Sequence, residues 1–418
     1  MLLGSLQVFI PVPQPNLIPM GIRILHVIDS MQPASGGAPA IIRQLIPYMK
    51  EMGLSSEVVC FDDHQSVQLG DTFPMHCLGK GRGPWHYHRR FRSWLQRELP
   101  RFDVCIAHGL WLYTGYALSQ EVRSLRKRLP TLDIRSYVMP HGMLDPWFQR
   151  SAHRRVKALR NLLWWVLVEK SIIQSADGLL FTSEVERLLA SGTFHGYDPS
   201  REMVLGLGSD HPPVRTNTMQ EAWAACCPGL DERPYVLFLG RIDPKKGLDM
   251  LIDAWRDLYA SIQDSDAWPV LVLAGPGWGS PYGQSLQHKI SSDPFLASEI
   301  LPVDLLLGPA KWGALYQCEA FVLPSHQENF GVTVAEALSC GRPVLLTRGV
   351  NIHAFVTSSA SGFSCEPTRQ GLSQMLSTWV SMEGEQRAGM SQAARKLWED
   401  EFSIRAVAHR WVQQLSQP

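Results

Sequence analysis

The sequence predicts an α/β protein built of two doubly wound domains that face each other across a cleft. Three observations predict it. Short apolar runs alternate with longer helical patterns along the chain, as in β-α-β units on parallel sheets. The 418 residues exceed what one hydrophobic core usually supports. A Pro- and Gly-rich stretch with little periodicity, residues 206–234 with Pro212-Pro213 inside it, divides the chain as an inter-domain connection would. The expected partition is 21–212, 213–394 and a last segment at 395–418, with 1–20 as a disordered extension.

In chain order, the first half offers strands at 22–28, 56–61, 104–108, 135–140 and 178–182. Each is a short apolar run, below the length of an ordinary helix and bounded by polar or turn-forming residues. Helical patterns at 38–52, 88–99, 113–129 and 151–173 lie between or beside them. The second half repeats the scheme with strands at 235–239, 270–274, 300–306, 320–323 and 343–346, and helices such as 247–259 and 332–340. Residues 395–415 also read as helical. No repeat of solenoid or propeller length occurs.

Bulk composition excludes several classes. With 39 basic and 39 acidic residues there is no overall charge to attract nucleic acid or an acidic partner. The eight cysteines show no C-x-x-C pairing and several lie in apolar runs, so a reduced, cytosolic chain without structural zinc is expected. Residues 1–20 carry four prolines and no Lys or Arg, unlike a secretory signal, and Met20 is a candidate start. No apolar run has the length of a membrane-spanning helix.

Two segments carry the chemistry. The run Ala320-Phe321-Val322-Leu323 leads into Pro324-Ser325-His326-Gln327-Glu328-Asn329-Phe330-Gly331 and then an apolar helix containing Glu336. A helix beginning near Gly331 points unpaired N–H groups and its positive dipole end toward the strand's carboxyl edge, where a phosphate is held. A carboxylate does not favour phosphate, so Glu328 and Glu336 are expected to accept hydrogen bonds from ligand hydroxyls. That combination suggests a ligand with both phosphate and sugar. The second segment, Gly240-Arg241-Ile242-Asp243-Pro244-Lys245-Lys246-Gly247, places Arg241 at a strand's carboxyl end and Lys246 at the next helix. Two cations there suit a pyrophosphate, although such a loop by itself is as readily a solvated basic surface.

Together these segments resemble the glycosyltransferases of family four, nucleotide-sugar enzymes of GT-B fold with two Rossmann-like domains. The resemblance rests on Gly240-Arg241 with Lys246-Gly247, and on Pro324-Ser325, Glu328, Phe330-Gly331, Glu336-Ala337 and Gly341-x-Pro343-Val344. It extends to Gly36-Gly37, His141-Gly142 and Thr182-Ser183-x-x-Glu186. It implies that Arg241 and Lys246 hold the donor diphosphate, that Glu336 binds the ribose and that Glu328 faces the donor sugar. The amides of Asn329, Phe330, Gly331 and Val332 would reach sugar hydroxyls and phosphate, beside Gly240. Gly37 would let a first-domain loop approach the phosphates, and His141 would contact the sugar from the acceptor side. It further implies retention of configuration, no metal, a glycan or lipid-linked glycan acceptor, a place in surface polysaccharide biosynthesis, and a last helix that returns to the first domain.

Other readings stay open. A nucleotide-sugar epimerase of the same fold, or a binding module without catalysis, would carry the same motifs. Glu328 as a covalent nucleophile is the minor alternative to hydroxyl binding. His108-Gly109-Leu110-Trp111 is expected to line the acceptor side. Asp264-Ser265-Asp266 reads as solvated surface, and Gly275-Pro276-Gly277-Trp278-Gly279 as a loop near the base rather than a dinucleotide fingerprint. Arg150 to Arg160, followed by Leu162-Leu163-Trp164-Trp165, has two readings: a helix packed into the core, the commoner fate, or a peripheral contact with an anionic membrane.

Overall fold

The computed structural model describes residues 21–32, 35, 37–63, 71–150, 155–231, 233–261 and 269–417. The extension 1–20, Gly36, His153, Arg154 and the Asp264-Ser265-Asp266 tripeptide lie outside these described residues. Among the described residues the strands form two all-parallel sheets.

The first sheet contains β1 (Arg23–Val27), β2 (Ser55–Cys60), β3 (Met75–Cys77), β4 (Val104–His108), β5 (Arg135–Met139), β6 (Gly178–Phe181) and β7 (Glu202–Val204), in the order 3-2-1-4-5-6-7. The second contains β8 (Tyr235–Leu239), β9 (Val270–Ala274), β10 (Ile300–Val303), β11 (Ala320–Leu323), β12 (Val344–Thr347) and β13 (Gly362–Cys365), in the order 10-9-8-11-12-13. Their central strands are buried along their whole length, as the unbroken apolar runs require of sheets covered on both faces. In each sheet the order reverses once, between β1 and β4 and between β8 and β11. At such a switch point the loops leaving neighbouring strands diverge and open a crevice at the carboxyl edge.

Three short strands escape the apolar-run criterion. β3 and β7 have three residues each, two of them partly exposed, and β13 has one fully buried residue. Each lies at a sheet edge, where one flank is open and little apolar pattern is needed. The connection also holds more structure than its composition suggests: a helix spans Asn217–Cys226, capped by the Thr216 hydroxyl and buried through Met219 and Trp223. The last helix, Ile404–Ser416, packs against the Gly37–Glu51 helix of the first half. Ser209 and Ser403 form a parallel bridge, and the buried Trp398 indole donates to Ser209 Oγ at 2.9 Å, so the crossing back is pinned by polar as well as apolar contacts.

The stretch expected either to fill the core or to face a membrane is buried on one side and exposed on the other. A helix at Arg155–Trp164 runs into a π-helical turn at Trp165–Glu169. Trp165 and Glu169 are buried, one above the other at i, i+4 spacing, whereas Val156, Leu159, Leu162, Leu163, Val166 and Leu167 are exposed, from 50% to 85%. Core packing of the whole stretch is therefore corrected: only its Trp165 side enters the core. No helix among the described residues is long and apolar enough to cross a membrane.

Candidate functional site

After β8 the chain turns through Gly240 and Arg241. Ile242 is buried and anchors the turn, while Arg241 is exposed and has no hydrogen bond or ion pair among the described residues. Asp243 caps the following short turn by accepting from the Lys245 N–H at 3.0 Å. Gly247 ends it at φ +66°, and a Cβ there would lie 2.4 Å from the Pro324 carbonyl oxygen, so a side chain would push the two loops apart. The His326 N–H donates to the Lys245 carbonyl at 2.9 Å. The two motif-bearing segments are thus joined, and the Lys246 ammonium pairs with the Glu328 carboxylate.

The Glu328 backbone is fixed on both sides: its N–H donates to Gly349 O at 2.7 Å, and its carbonyl accepts from Asn351 N–H at 3.0 Å. Gly331, at φ +77°, then starts the Val332–Ser339 helix without a side-chain cap. The amides of Asn329, Phe330, Gly331 and Val332 have no hydrogen-bond partner among the described residues, which leaves a row of donors at the positive end of the helix. The Phe330 ring is buried edge-on against Phe402 and serves packing, so only its backbone is available to a ligand. Glu336 is half-buried and pairs with Lys311 at 2.8 Å. Lys311 opens the Gly308–Gln317 helix and carries no motif signal; only the fold brings it to Glu336.

On the first half, β5 leads through Pro140 to His141, which sits at φ +52° with its Nε2 2.9 Å from His108 Nδ1. His108 Nε2 is in turn 3.0 Å from His26 Nδ1 in β1. Burial pushes His26 and His141 down to about 4, and burial with its two neighbours holds His108 well below the usual histidine range. His108 was expected to line the acceptor side; it is instead buried, because its β4 side chain lies under His141. Glu186, also buried, accepts from the Gly142 N–H at 2.5 Å, the Thr182 N–H at 2.8 Å and the Thr182 hydroxyl at 2.6 Å. Burial raises its carboxyl despite those bonds. The Thr182-Ser183-x-x-Glu186 motif therefore acts as a clamp on the His141-Gly142 turn. Beside it, the Trp111 N–H, in a residue at φ +68°, donates to Glu169 Oε1 at 2.6 Å, and burial pushes Glu169 up to about 7.

The halves meet around one loop. Asn329 Nδ2 donates to Thr182 Oγ1 at 3.0 Å, and Gln327 Nε2 to Asp145 Oδ2 at 2.8 Å. Lys245 Nζ lies 5.6 Å and 5.3 Å from the ring centres of Trp147 and Phe148, and burial lowers its ammonium below the ordinary lysine value. Gly37 begins its helix opposite Val332, 3.9 Å from a Cβ built on the glycine. The structure therefore brings Arg241, Lys246, Glu328, the 329–332 amides, Gly37 and His141 to one crevice, and Lys245, Lys311 and His26 are the participants that motif reading missed. The Gly275 loop packs on the Gly240 carbonyl, with Trp278 Nε1 donating to Val303 O at 3.0 Å, and so supports the Arg241 turn from below.

Residues 36–208 match the family described as Glycosyl transferase 4-like domain, and residues 228–397 that described as Glycosyl transferases group 1. The D-inositol 3-phosphate glycosyltransferase of Rhodococcus opacus is 29% identical over 200 residues, 46% of this chain and 43% of that protein. The protein of the same name from Segniliparus rotundus is 26% identical over 423 residues, 92% of this chain and 87% of that protein. The chain spans about half the length, or less, of several curated relatives it matches. Among solved structures, Anabaena HepE in complex with UDP and glucose superposes with a TM-score of 0.69 at 17% identity, covering 95% of this chain and all of that one. The fold is thereby GT-B.

Two outcomes follow from this geometry. A Cβ at Gly142, which sits at φ +80°, would lie 2.9 Å from both Cβ and Cγ of Asn329. Gly142→Ala should hold the halves apart, raise the radius of gyration in solution scattering and lower activity about a hundred-fold through misplacement; an unchanged scattering profile with full activity would refute the contact. For Glu169, pushed up by burial from the usual glutamate value of 4.5 to about 7, the native state binds more protons between those limits. Stability should fall by about 3 kcal/mol as pH rises through that window and level off above it. Glu169→Gln should abolish this component, measured as the change in denaturation midpoint between pH 5 and 8 relative to wild type.

Proposed function

Because the chain belongs to the GT-B glycosyltransferases, with a 4-like first half and a group 1 second half, we propose that it moves a sugar from a nucleotide-sugar donor to a hydroxyl of a glycan or lipid-linked glycan. The observation that carries the reading is Arg241, an exposed guanidinium without a partner among the described residues, beside Lys246 and a row of amides that bond no described residue, at the β8/β11 switch point. That arrangement is built for a diphosphate.

Binding exchanges partners. Lys246 moves its charge from Glu328 to a phosphate oxygen, and Glu328 is released to accept hydrogen bonds from the donor sugar. Arg241, Lys246 and the 329–332 amides then stabilise the charge that develops on the departing nucleoside diphosphate, the task a metal performs elsewhere. Glu336, oriented by Lys311, takes the ribose hydroxyls. Retention of configuration fits front-face attack, with the acceptor hydroxyl entering on the side the diphosphate leaves and the phosphate taking its proton. Hydroxyl binding suits Glu328 better than nucleophilic attack, since the Lys246 pair and the fixed backbone hold it as an acceptor. The nature of HepE's ligands, UDP and glucose, supports a UDP-sugar donor.

The exposed apolar face between Val156 and Leu167 supports a lipid-linked acceptor. Lys157 and Arg160 are exposed on the same helix, which packs against the Trp147–Arg150 turn that faces Lys245 at the cleft. Leu and Val side chains with flanking cations suit insertion at an anionic membrane surface, next to the place where the acceptor hydroxyl enters.

Arg241→Ala should lower kcat roughly a hundred-fold, about 3 kcal/mol of lost transition-state stabilisation, while leaving thermal stability unchanged because no partner among the described residues is lost. Steady-state transfer from a panel of nucleotide sugars measures it; near-normal turnover rejects the reading. Co-sedimentation with anionic vesicles should show salt-sensitive binding that the double variant Leu163→Glu/Leu167→Glu abolishes; wild-type protein that stays in the supernatant at low salt ends the membrane part.

A further inference from the structure

We propose that His86, oriented by Asp29, binds the acceptor: its Nε2 takes a hydrogen bond from an acceptor hydroxyl at the carboxyl edge of the first sheet, across the crevice from Trp111. This role rests on the glycosyltransferase reading above and adds to it the group on the first half that meets the acceptor.

Backbone strain marks the place. Among the described residues of the first half, three residues other than glycine have a left-handed backbone: His86 at φ +53°, Trp111 at φ +68° and His141 at φ +52°. All three stand in loops that leave the carboxyl ends of first-sheet strands, after β3, β4 and β5. Such conformations cost free energy and persist only where the surroundings impose them, as ligand sites commonly do. At His86 the surroundings are explicit. The backbones of Arg82 and Tyr87 exchange hydrogen bonds at 2.8 and 2.9 Å, the His86 N–H donates to Gly83 O at 3.0 Å, and a Cβ at Gly81 would lie 2.6 Å from the His86 carbonyl oxygen.

This loop spans the switch point of the first sheet. His86 Nδ1 is 2.7 Å from Oδ1 of Asp29, two residues beyond β1. The Tyr113 N–H, just past Trp111 on the chain leaving β4, donates to the Trp85 carbonyl at 2.9 Å. The strand order reverses between β1 and β4, so His86 and Trp111 flank the first half's crevice as Arg241 and Glu328 flank that of the second.

A carboxylate only accepts, so Asp29 holds the proton of the uncharged ring on Nδ1 and leaves a lone pair on Nε2. The His86 side chain is 45% exposed, and its Nε2 makes no hydrogen bond among the described residues. A pair that merely pinned the loop would use Nδ1 alone; this ring also keeps its second nitrogen accessible. A lone pair attracts a hydroxyl and repels a phosphate oxygen, so the part of the acceptor that meets His86 is an uncharged, hydroxyl-bearing unit such as a sugar ring. Trp111, half-buried and edge-on to Phe194, supplies an apolar wall on the β4 side. Asp29 is a positioning residue, since it acts through the imidazole.

The test uses full-length protein labelled with 15N at histidine. Multiple-bond 1H–15N spectra at about pH 8.5, above the ordinary histidine range, follow titration with the methyl glycosides of glucose, galactose, mannose and N-acetylglucosamine, with and without UDP. His86 should appear as the Nδ1–H tautomer, and at least one glycoside should shift its Nε2 resonance. His86→Asn, which tolerates the left-handed backbone, should weaken that glycoside roughly tenfold, the worth of one hydrogen bond, and leave UDP affinity unchanged. Asp29→Asn should lower the Nδ1–H population of His86 and weaken the same glycoside. Should a variant fail to fold, the wild-type titration still decides. Wild-type His86 found as the Nε2–H tautomer, glycosides that bind without moving Nε2 or bind His86→Asn equally well, or no glycoside bound at all, each overturns the proposal. Because the glycoside titration also runs without nucleotide, failure to bind UDP is a separate result that strikes the donor site and not His86.

Discussion

The loop from Pro324 to Gly331 has to satisfy both halves of the molecule at once, and the rest of the site depends on how it does so. Its backbone is tied to the second half by hydrogen bonds through His326, Glu328 and Asn351, while its side chains Gln327 and Asn329 reach Asp145 and Thr182 of the first half. The Asn329 contact can form only where Gly142 has no side chain. Closure and ligand geometry are therefore one event: the residues that join the halves are interleaved with Glu328 and the free amides. A motion that separates the halves would also displace Glu328 and those amides, because both are carried on the loop that makes the Asp145 and Thr182 contacts.

Electrostatically the two walls of the crevice are unlike. The second half offers permanent cations, Arg241, Lys245 and Lys246, within one turn after β8, although the chain as a whole has no net charge. The first half offers buried groups held neutral: imidazoles pushed down and the Glu169 carboxyl pushed up, both by loss of solvent.

The fold was legible because its signals are local. Buried parallel strands such as Val270–Ala274 and Ala320–Leu323 need unbroken apolar runs, and those runs stand out in the residues themselves. Edge strands such as Met75–Cys77 need no such run, and the Asn217–Cys226 helix buries only two residues, so neither announced itself. Arg241, Lys246, Glu328 and Glu336 were legible for a similar reason: each stands at a strand end or helix start, where backbone geometry limits what a side chain can do. Lys311 and His26 were not, because their partners lie 25 and 82 positions away. His108 was placed on the right element but on the wrong side of it, since the face a strand residue takes at a crevice depends on what lies above.

By itself the sequence determined the alternation of strands and helices, the division into two halves, and the cation and glutamate segments, all of which follow from periodicity and short-range spacing. Only the tertiary structure decided that Lys246 meets Glu328, that Asn329 needs Gly142, that the Leu-rich face from Leu159 to Leu167 stays in solvent, and that three histidines form one hydrogen-bonded line. The physical reason is that period and spacing act over one or two turns of chain, whereas ion pairs, tautomers and exposure are settled by groups brought together from different strands, and the chain carries no short-range mark of who its distant neighbours will be.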